Sequence, residues 1–452
     1  MSSGKVLLDD LPLSKFHLKI TALTFGAHLV DGYILGLIGI TMTRLPAHMG
    51  SNDPFWSGFI GSSALIGLFL GSLFFGRISD RLGRQKIFSV SFVVISLGSL
   101  FQFYVNTPLE LALCRIFLGI GLGGDYSVGH ALLAEFCPKK HRGPILGSFS
   151  VIWTMGYVAA TFVGTALLSS SMLGDDAWRW VLASPCVPAI LICLARIGTP
   201  ESPRWLANQG RPEQAQAVLT KVFGPNVILG DEIVNHHQST GYKVLFDRKY
   251  IKRTLFNCIF FVCIVMPYFA IYTFLPKILE QMNIAEGFVT GLLLNCMLIV
   301  GALIGIWCTI QFTRRGFLIN SFIILTVGLL GLAILPVNQT VLMIIIFAAF
   351  TLTLSAVSNL VGVFPAESFP TEVRSSGIGL ATAVSRFGSA LSTFCLPVSM
   401  YHLGVSSTMI LLAAVTLIGT IVSWLWAPET KELSLAKAVQ VDTCIPPSVT
   451  RA

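Results

Sequence analysis

Charged residues are scarce in this chain, and this scarcity is the first constraint on its class. Lysine, arginine, aspartate and glutamate make up 12% of the 452 residues, whereas hydrophobic residues make up 54%. An ordinary soluble domain has about a quarter of its residues charged. The composition therefore excludes a soluble globular protein and indicates an integral membrane protein. The polar N-terminus (1–19) runs directly into an apolar segment, so we expect no cleavable signal peptide.

Paired cysteines and enzyme motifs are also missing. The ten cysteines lie singly, mostly within apolar runs, without the spacing of a disulfide framework or a zinc site. The sequence contains no nucleophile elbow, metal-ligand cluster or phosphate-binding loop. We therefore expect no metal, no cofactor and no enzymatic activity.

Twelve apolar stretches are long enough to span a bilayer as helices. Their approximate ranges are 20–43, 56–76, 87–105, 109–133, 144–168, 178–198, 254–275, 287–310, 317–336, 340–363, 376–399 and 405–427. Only Arg44, Arg179 and Lys277 fall in the loops on one side, whereas most of the 30 lysines and arginines fall on the other. The positive-inside rule predicts that both termini are cytoplasmic. Basic loops facing anionic lipid explain the net charge of +8, so we expect no nucleic-acid partner.

The two halves of the chain repeat short motifs at matching places. The pattern Ala-Glu-x-x-Pro-x-x-x-Arg occurs at 134–142 and again at 366–374, and Pro-Glu-Ser at 200–202 is echoed by Pro-Glu-Thr at 428–430. Duplicated halves with a ligand site between them are typical of secondary transporters. We predict an N-terminal six-helix bundle (1–198), a cytoplasmic linker with short amphipathic helices (199–253), a C-terminal six-helix bundle (254–428) and a cytoplasmic tail (429–452).

These motifs carry a family resemblance. The stretch "GRISDRLGRQK" (76–86) resembles the loop signature of the major facilitator superfamily, and "PESPRWL" (200–206) and "PAESFPTEVR" (365–374) resemble its sugar-porter section. Within that section the chain is similar to bacterial metabolite carriers and aromatic-acid/proton symporters of the synaptic-vesicle-protein-like branch. The resemblance implies the major facilitator fold, an all-α membrane protein with twelve transmembrane helices in two pseudo-symmetric six-helix bundles. It also implies a charged gating latch at the inner membrane edge, formed by Gly76, Asp80, Arg81, Gly83, Arg84, Glu135, Arg142, Glu201, Arg204, Glu367 and Arg374.

Two glutamines that the resemblance would lead us to expect are absent. Hexose porters carry glutamines in helices 5 and 7 to bind sugar hydroxyls, but the fifth and seventh segments here contain none. A sugar needs many buried hydrogen-bonding partners, so a sugar or another neutral metabolite is the alternative substrate. Amphipathic aromatics and amides are the candidate substrate-binding residues, with core packing as the alternative role of the aromatics: Tyr33, Trp153, Tyr157, Tyr268, Tyr272, Asn295 and Asn359.

Asp31 is a carboxylate inside the first apolar segment, "GAHLVDGYILGLIGI" (26–40). Counted from Lys19, it lies about 18 Å into the helix at 1.5 Å per residue, near the bilayer centre. An aspartate there costs about 3 kcal/mol and is functional by default. His28 lies on the same helical face, and Asp125 lies at a similar depth, where a second carboxylate would favour proton binding. The alternatives are a permanent ion pair for Asp31 and an ordinary core role for His28.

The resemblance to aromatic-acid symporters narrows the coupling residues. Those proteins have Asp-Gly-Phe/Tyr-Asp in helix 1, whereas "DGYI" (31–34) keeps the first aspartate and has Ile34 in place of the second. The family also pairs the helix 4 arginine, here Arg115, with the helix 1 acid. We therefore predict that proton coupling uses Asp31, with Asp125, His28 and Arg115.

Arg386 is a cation within the eleventh apolar segment. A guanidinium stays charged and presents a fork that matches a carboxylate, and aromatic-acid symporters have a similar Gly/Ser-Arg-x-Gly. We predict that Arg386 binds an anionic substrate, with an interdomain ion pair as the alternative.

Together these features predict a monomeric proton symporter of a small organic solute, an aromatic or other organic acid, in the bacterial inner membrane. Its partners would be the solute, protons and the lipid bilayer. The alternatives are a proton-coupled transporter of a sugar or neutral metabolite and a non-transporting solute receptor, which the short C-terminal tail disfavours.

Overall fold

The computed structural model describes residues 6–138, 141, 145, 148–229, 242–248, 250–282, 287–336, 339–369 and 374–429. Within those ranges it does not describe the side chains of residues 76, 77, 80, 81, 287–289, 366, 367 and 374–376. In this part of the chain, 11 helical regions are long and apolar enough to cross a membrane. The last region, Arg374–Trp426, is interrupted at Gly404, where φ is 80°. Its two arms bring the number of spanning segments to the predicted twelve.

The α-helices and strands have the following bounds. The helices are α1 Lys15–Thr41, α2 Pro54–Leu82, α3 Arg84–Phe101, α4 Pro108–Phe136, α5 Phe149–Leu168, α6 Ala177–Ala183, α7 Cys186–Ala195, α8 Pro203–Asn208, α9 Pro212–Phe223, α10 Ile251–Thr273, α11 Leu275–Gln281, α12 Gly287–Gln311, α13 Arg314–Ile334, α14 Thr340–Ser358, α15 Leu360–Ser368 and α16 Arg374–Trp426. Two short parallel strands, β1 Val6–Leu7 and β2 Val227–Ile228, pair with Val6 opposite Val227.

Capping residues in the sequence determine where the long helices begin. The carboxylate of Asp53 accepts the N–H of Phe55 at 2.8 Å, just before Pro54 at the start of α2. Thr107 and Glu110 bond reciprocally at the start of α4. Such caps satisfy N–H groups that have no partner within the helix. They fix the start of α2 and of α4, and α4 carries the buried Arg115 and Asp125.

The chain divides into two compact units. Unit 1 comprises Met1–His236, Ala270–Leu279 and Thr393–Tyr401, and unit 2 comprises His237–Phe269, Glu280–Ser392 and His402–Ala452. In unit 1, α4 packs against α2 and α3; in unit 2, α14 packs against α12 and α13. The second, third and fourth spans of one unit are thus paired in the same way as the eighth, ninth and tenth spans of the other. The predicted domain boundaries themselves stay a prediction.

Helices α1 and α5 touch through their backbones. A Cβ atom at Gly32 would collide with the carbonyl oxygen of Trp153, and one at Gly156 would collide with the carbonyl oxygen of Leu29. Glycines permit such an approach because they have no side chain to separate the helices. The contact brackets Asp31, which therefore lies on a rigidly packed stretch of α1.

Replacing one of these glycines should destabilise the protein. In the Gly156→Ala variant the added methyl group forces α1 and α5 apart, and overpacking of this kind costs about 1–3 kcal/mol. A thermal melt in detergent should show a lower Tm than the unmodified protein. The matched control is Gly291→Ala in α12, where a Cβ would meet nothing within 4 Å. Equal melting temperatures for both variants would contradict the backbone contact.

Candidate functional site

Three titratable side chains meet in the core of unit 1. His28 and Asp31 lie on α1 and Asp125 lies on α4. One ring nitrogen of His28 and one oxygen of each carboxylate lie within 4.8 Å of one another. The exposed fraction of each residue is 1% or less. The structure therefore brings together three of the four residues that the sequence predicts for proton coupling.

A fourth buried ionisable side chain, Arg196, completes this cluster. Arg196 follows the last residue of α7, and its Nη1 lies 2.6 Å from Oδ1 of Asp125. Its guanidinium also lies over the rings of Phe88 and Phe92, at 3.4 and 4.2 Å from their centroids. We call His28, Asp31, Asp125 and Arg196 the buried acid site.

Sequence reasoning missed Arg196. Its position inside the predicted segment 178–198 is a signal that it lies within the membrane. The sequence alone does not distinguish an arginine near the inner end of a helix from one in the following loop, so the sequence-based prediction counts Arg196 among the cytoplasmic loop charges.

The charges of the buried acid site do not balance. Among the described residues, two carboxylates lie beside one guanidinium at this site, and a neutral His28 adds no charge. Burying an uncompensated charge is costly, so the site favours binding one proton or another monovalent cation. The donor types would also suit a metal ion, but the guanidinium beside Asp125 opposes a divalent cation by charge.

Removing Arg196 should be strongly destabilising. The Arg196→Leu variant leaves both carboxylates in the core without a counter-charge, and losing one partner of a buried pair costs about 3–5 kcal/mol. The Tm in detergent should fall. The Arg196→Leu/Asp125→Leu variant removes the pair as a whole and should recover most of the loss. If the single variant melts like the unmodified protein, the ion pair is not part of the folded core.

The structure places Arg115 away from the buried acid site, and its role in coupling stays a prediction. This residue is 1% exposed, and its Nη1 donates to Oε1 of Gln102 at 3.4 Å. It lies ten residues before Asp125 on α4, about 15 Å along the helix. No acidic side chain among the described residues forms an ion pair with it. The guanidinium at the buried carboxylates is therefore that of Arg196.

The predicted aromatic residues of unit 1 are all buried. Trp153 and Tyr157 on α5 stack with ring centroids 5.5 Å apart, and Tyr157 meets Tyr272 edge to face at 6.3 Å. The hydroxyl groups of Tyr33 and Ser184 lie 2.7 Å apart. Tyr33 also packs in a core cluster, which is the core role that the sequence left open. The role of these four side chains in binding a substrate stays a prediction.

The predicted binding residues of unit 2 lie on α10, α12, α14 and α16. Arg386 on α16 is 8% exposed, and its guanidinium carbon lies 5.8 Å from the ring centroid of Phe269, the neighbour of Tyr268. The Asn295 amide donates to the carbonyl of Gly291 at 2.7 Å. The Asn359 amide donates to the carbonyl of Ala302 at 2.9 Å, which ties the end of α14 to α12.

The two Pro-Glu motifs cap equivalent helices. Oε1 of Glu201 accepts the backbone N–H groups of Arg84 and Gln85, at 2.9 and 3.1 Å, at the start of α3. Glu429 accepts those of Arg314 and Arg315, both at 3.1 Å, at the start of α13. The carboxylates also stabilise the positive ends of the helix dipoles. The repeat seen in the sequence thus has the same function in each half, although Glu429 was not among the predicted latch residues.

Predicted latch residues of unit 1 that the structure describes lie around Glu135. Nε of Arg84 lies 3.5 Å from Oε1 of Glu135, and Nε of Arg204 donates to the Glu135 carbonyl oxygen at 3.1 Å. Gly83 has φ of 107°, which favours glycine, and a Cβ there would displace the carboxylate of Glu201. Arg142 lies outside the described residues, as do the side chains of Asp80, Arg81, Glu367 and Arg374 and the surroundings of Gly76.

The whole chain matches a known family of membrane transporters. Residues 22–441 match the family model described as "Sugar (and other) transporter". The chain belongs to this family. It is 52% identical over 441 residues to the inner membrane metabolite transport protein YgcS of Escherichia coli K12, with 98% of each chain covered. It is 25% identical over 399 residues to the benzoate transport protein of Acinetobacter baylyi, with 85% of this chain and 84% of the relative covered.

A solved structure places this transporter in a fold class. The xylose transporter XylE from E. coli, in a partially occluded inward-open conformation, superposes with a TM-score of 0.77 at 20% identity, covering 93% of this chain and 100% of that one. XylE is described as a major facilitator superfamily proton:xylose symporter. The predicted twelve-helix major facilitator fold is confirmed. The chain is an integral membrane transporter of small molecules and, like its relatives, not an enzyme.

Proposed function

We propose that this transporter is a proton symporter of a small organic carboxylate, aromatic or otherwise, in the bacterial inner membrane with both termini in the cytoplasm. One observation carries the proposal. In unit 1, two fully buried carboxylates, Asp31 and Asp125, lie together, and the guanidinium of Arg196 pairs with Asp125 and interacts electrostatically with Asp31. The relative YgcS is named an inner membrane protein, and the loop charges support the proposed orientation.

The charge balance makes the buried acid site a proton carrier. Arg196 neutralises one carboxylate, and a proton neutralises the other, so the loaded site is neutral. Two negative charges this close together repel each other, and a proton on either carboxylate removes that repulsion. The empty site is left with one buried negative charge, which disfavours any conformation that keeps it away from water. Binding and release of one proton can therefore bias the conformational equilibrium.

Arg386 supports a carboxylate as the substrate. Its guanidinium is buried in unit 2 beside the ring of Phe269 and cannot lose its charge. An anionic group with two acceptor oxygens fits its fork, and a flat ring fits the aromatic surroundings. The benzoate transport protein among the relatives carries an acid of this class by name.

A sugar is the second candidate. The carboxamide oxygen of Asn295 is buried without a hydrogen-bond partner among the described residues, which is the kind of acceptor that a substrate hydroxyl satisfies. XylE shows that this fold transports a sugar with protons. The missing glutamines in the fifth and seventh spans weigh against this candidate.

Uptake into proteoliposomes tests the proposal. A panel of labelled aromatic and aliphatic monocarboxylates, each paired with its neutral amide, is offered with a pH gradient or with a membrane potential alone. One proton moving with one monocarboxylate carries no net charge. We therefore expect acids to accumulate with the pH gradient and not with the potential, and amides not to accumulate. Protein-free liposomes set the background, because protonated acids cross lipid unaided. Equal uptake of acids and amides would reject the carboxylate, and accumulation without a pH gradient would reject the coupling.

A further inference from the structure

A second histidine lies against the buried acid site. The ring centroids of His28 and His130 are 4.5 Å apart, with the rings at 80°. Phe149 packs on both of them, at 4.2 Å from His28 and 4.3 Å from His130, and Tyr126 lies 5.1 Å from His28. His130 has no part in the function proposed above.

The exposed fraction of the side chains increases from the buried acid site through His28 to His130. Asp31, Asp125 and Arg196 are 0% exposed and His28 is 1% exposed, whereas His130 and Tyr126 are partly exposed. His130 lies six residues before the end of α4 at Phe136, about 9 Å along the helix. That end leads into the lysine- and arginine-rich segment 137–142, which the charge distribution assigns to the cytoplasm. His130 thus lies between His28 and the proposed inner surface.

The hydrogen bonds fix the tautomer of both rings. Nδ1 of His28 lies 3.2 Å from the carbonyl oxygen of Thr24, and Nδ1 of His130 lies 3.0 Å from that of Tyr126. A carbonyl oxygen only accepts, so Nδ1 carries the proton in each ring. In a neutral imidazole the other nitrogen, Nε2, is then a base. Both rings therefore offer Nε2 as the atom that takes up and releases a proton.

We propose that His130 is a proton relay, which passes protons through His28 between the inner surface and the Asp31–Asp125 pair. The proposal rests on the proton symport proposed above. A proton binds Nε2 of His130, moves to Nε2 of His28, directly or through a water molecule, and is released to a carboxylate oxygen. Each transfer forms one bond to hydrogen and breaks another, and no co-reactant is needed.

The surrounding charges favour transfer of a proton from His130 towards the buried acid site. Asp31 and Asp125 face His28 from α1 and α4, with Arg196 behind them at the end of α7 and Cys193 near Arg196. The α5 helix presents Phe149, and α3 presents Phe88. Two imidazolium rings at this separation would repel each other, so the histidine pair takes up one additional proton at a time. An imidazole exchanges protons readily near neutral pH.

The test separates rate from equilibrium. Proteoliposomes containing the His130→Ala variant are given a pH gradient and a labelled carboxylate that the unmodified protein accumulates. We expect the initial rate to fall by at least about tenfold, and the final accumulation to stay the same, because the stoichiometry is unchanged. Counterflow exchange at equal pH should keep its rate. Added imidazole should restore the lost rate by replacing the missing ring. The control variant His48→Ala removes an exposed histidine that does not contact His28 or His130. Its initial rate should equal that of the unmodified protein, and added imidazole should not alter it.

Each outcome addresses a different part of the proposal. The relay is overturned if His130→Ala keeps the initial rate of the unmodified protein. It is also overturned if imidazole does not restore the lost rate and His130→Gln is slow in counterflow as well. Loss of final accumulation would make His130 part of the coupling site and would likewise overturn the relay. Persistence of accumulation in Asp31→Asn would instead reject the proton site itself, whatever His130 does.

Discussion

The Asp31→Asn variant is expected to lose proton-driven accumulation completely while it continues to exchange solute. Neutralising Asp31 leaves Asp125, at 2.6 Å, as the one ionised carboxylate beside Arg196 in the part of the chain that the structure describes. That pair is balanced without a proton, so the site has no reason to bind one. The accumulation ratio in proteoliposomes with a pH gradient should fall to one, and counterflow of labelled solute at equal pH should remain.

The Asp125→Asn variant is the matched comparison. It leaves Arg196 free to pair with Asp31, so the same loss of coupling is expected although a different residue is changed. Exchange should again persist. If either variant accumulates solute like the unmodified protein, that carboxylate has no part in coupling.

The Arg386→Lys variant is expected to bind a carboxylate about tenfold to a hundredfold more weakly, which corresponds to losing one charge-assisted hydrogen bond. A lysine keeps the charge but presents a single point in place of a fork. Neutral amide analogues should bind the unmodified protein poorly and should lose little more in the variant. Isothermal titration or thermal-shift measurements of acid and amide with both proteins give the four affinities.

Arg253→Lys controls for a general effect of replacing a buried arginine in unit 2. Arg253 is 8% exposed and donates to the carbonyl of Ser368 at 3.3 Å, so its replacement should affect stability without discriminating acid from amide. Equal losses for the two ligands in Arg386→Lys would reject the anion site. Such a result would favour a neutral substrate such as a sugar.

Much of this architecture could be predicted from the sequence because the membrane restricts the choices. A buried backbone in lipid must be helical, so hydropathy located the spans, and the rise of 1.5 Å per residue placed Asp31 and Asp125 at one depth. The sixth predicted span, 178–198, consists of two helices, α6 and α7, separated at Ser184 and Pro185. Proline lacks the N–H and interrupts the helix, which hydropathy does not register.

The charge pairs were harder to predict than the spans. The family resemblance assigned the helix 1 acid to Arg115, but that pairing belongs to an aspartate that Ile34 replaces here. With that partner gone, Arg115 instead donates to Gln102, and the carboxylates meet Arg196 from the sixth span. Which side chains face each other across a bundle depends on helix rotation and close approach, as at Gly32 and Gly156. A single sequence does not specify these.

Proton movement driven by the solute alone tests the central claim most directly. Proteoliposomes with equal pH on both sides receive a monocarboxylate that they take up, and a pH electrode records the weakly buffered medium outside. Symport predicts that the medium becomes alkaline by one proton for each carboxylate taken up, above the background of protein-free liposomes, and that Asp31→Asn abolishes this signal. Protein-dependent uptake of the carboxylate with no change in external pH would contradict the account.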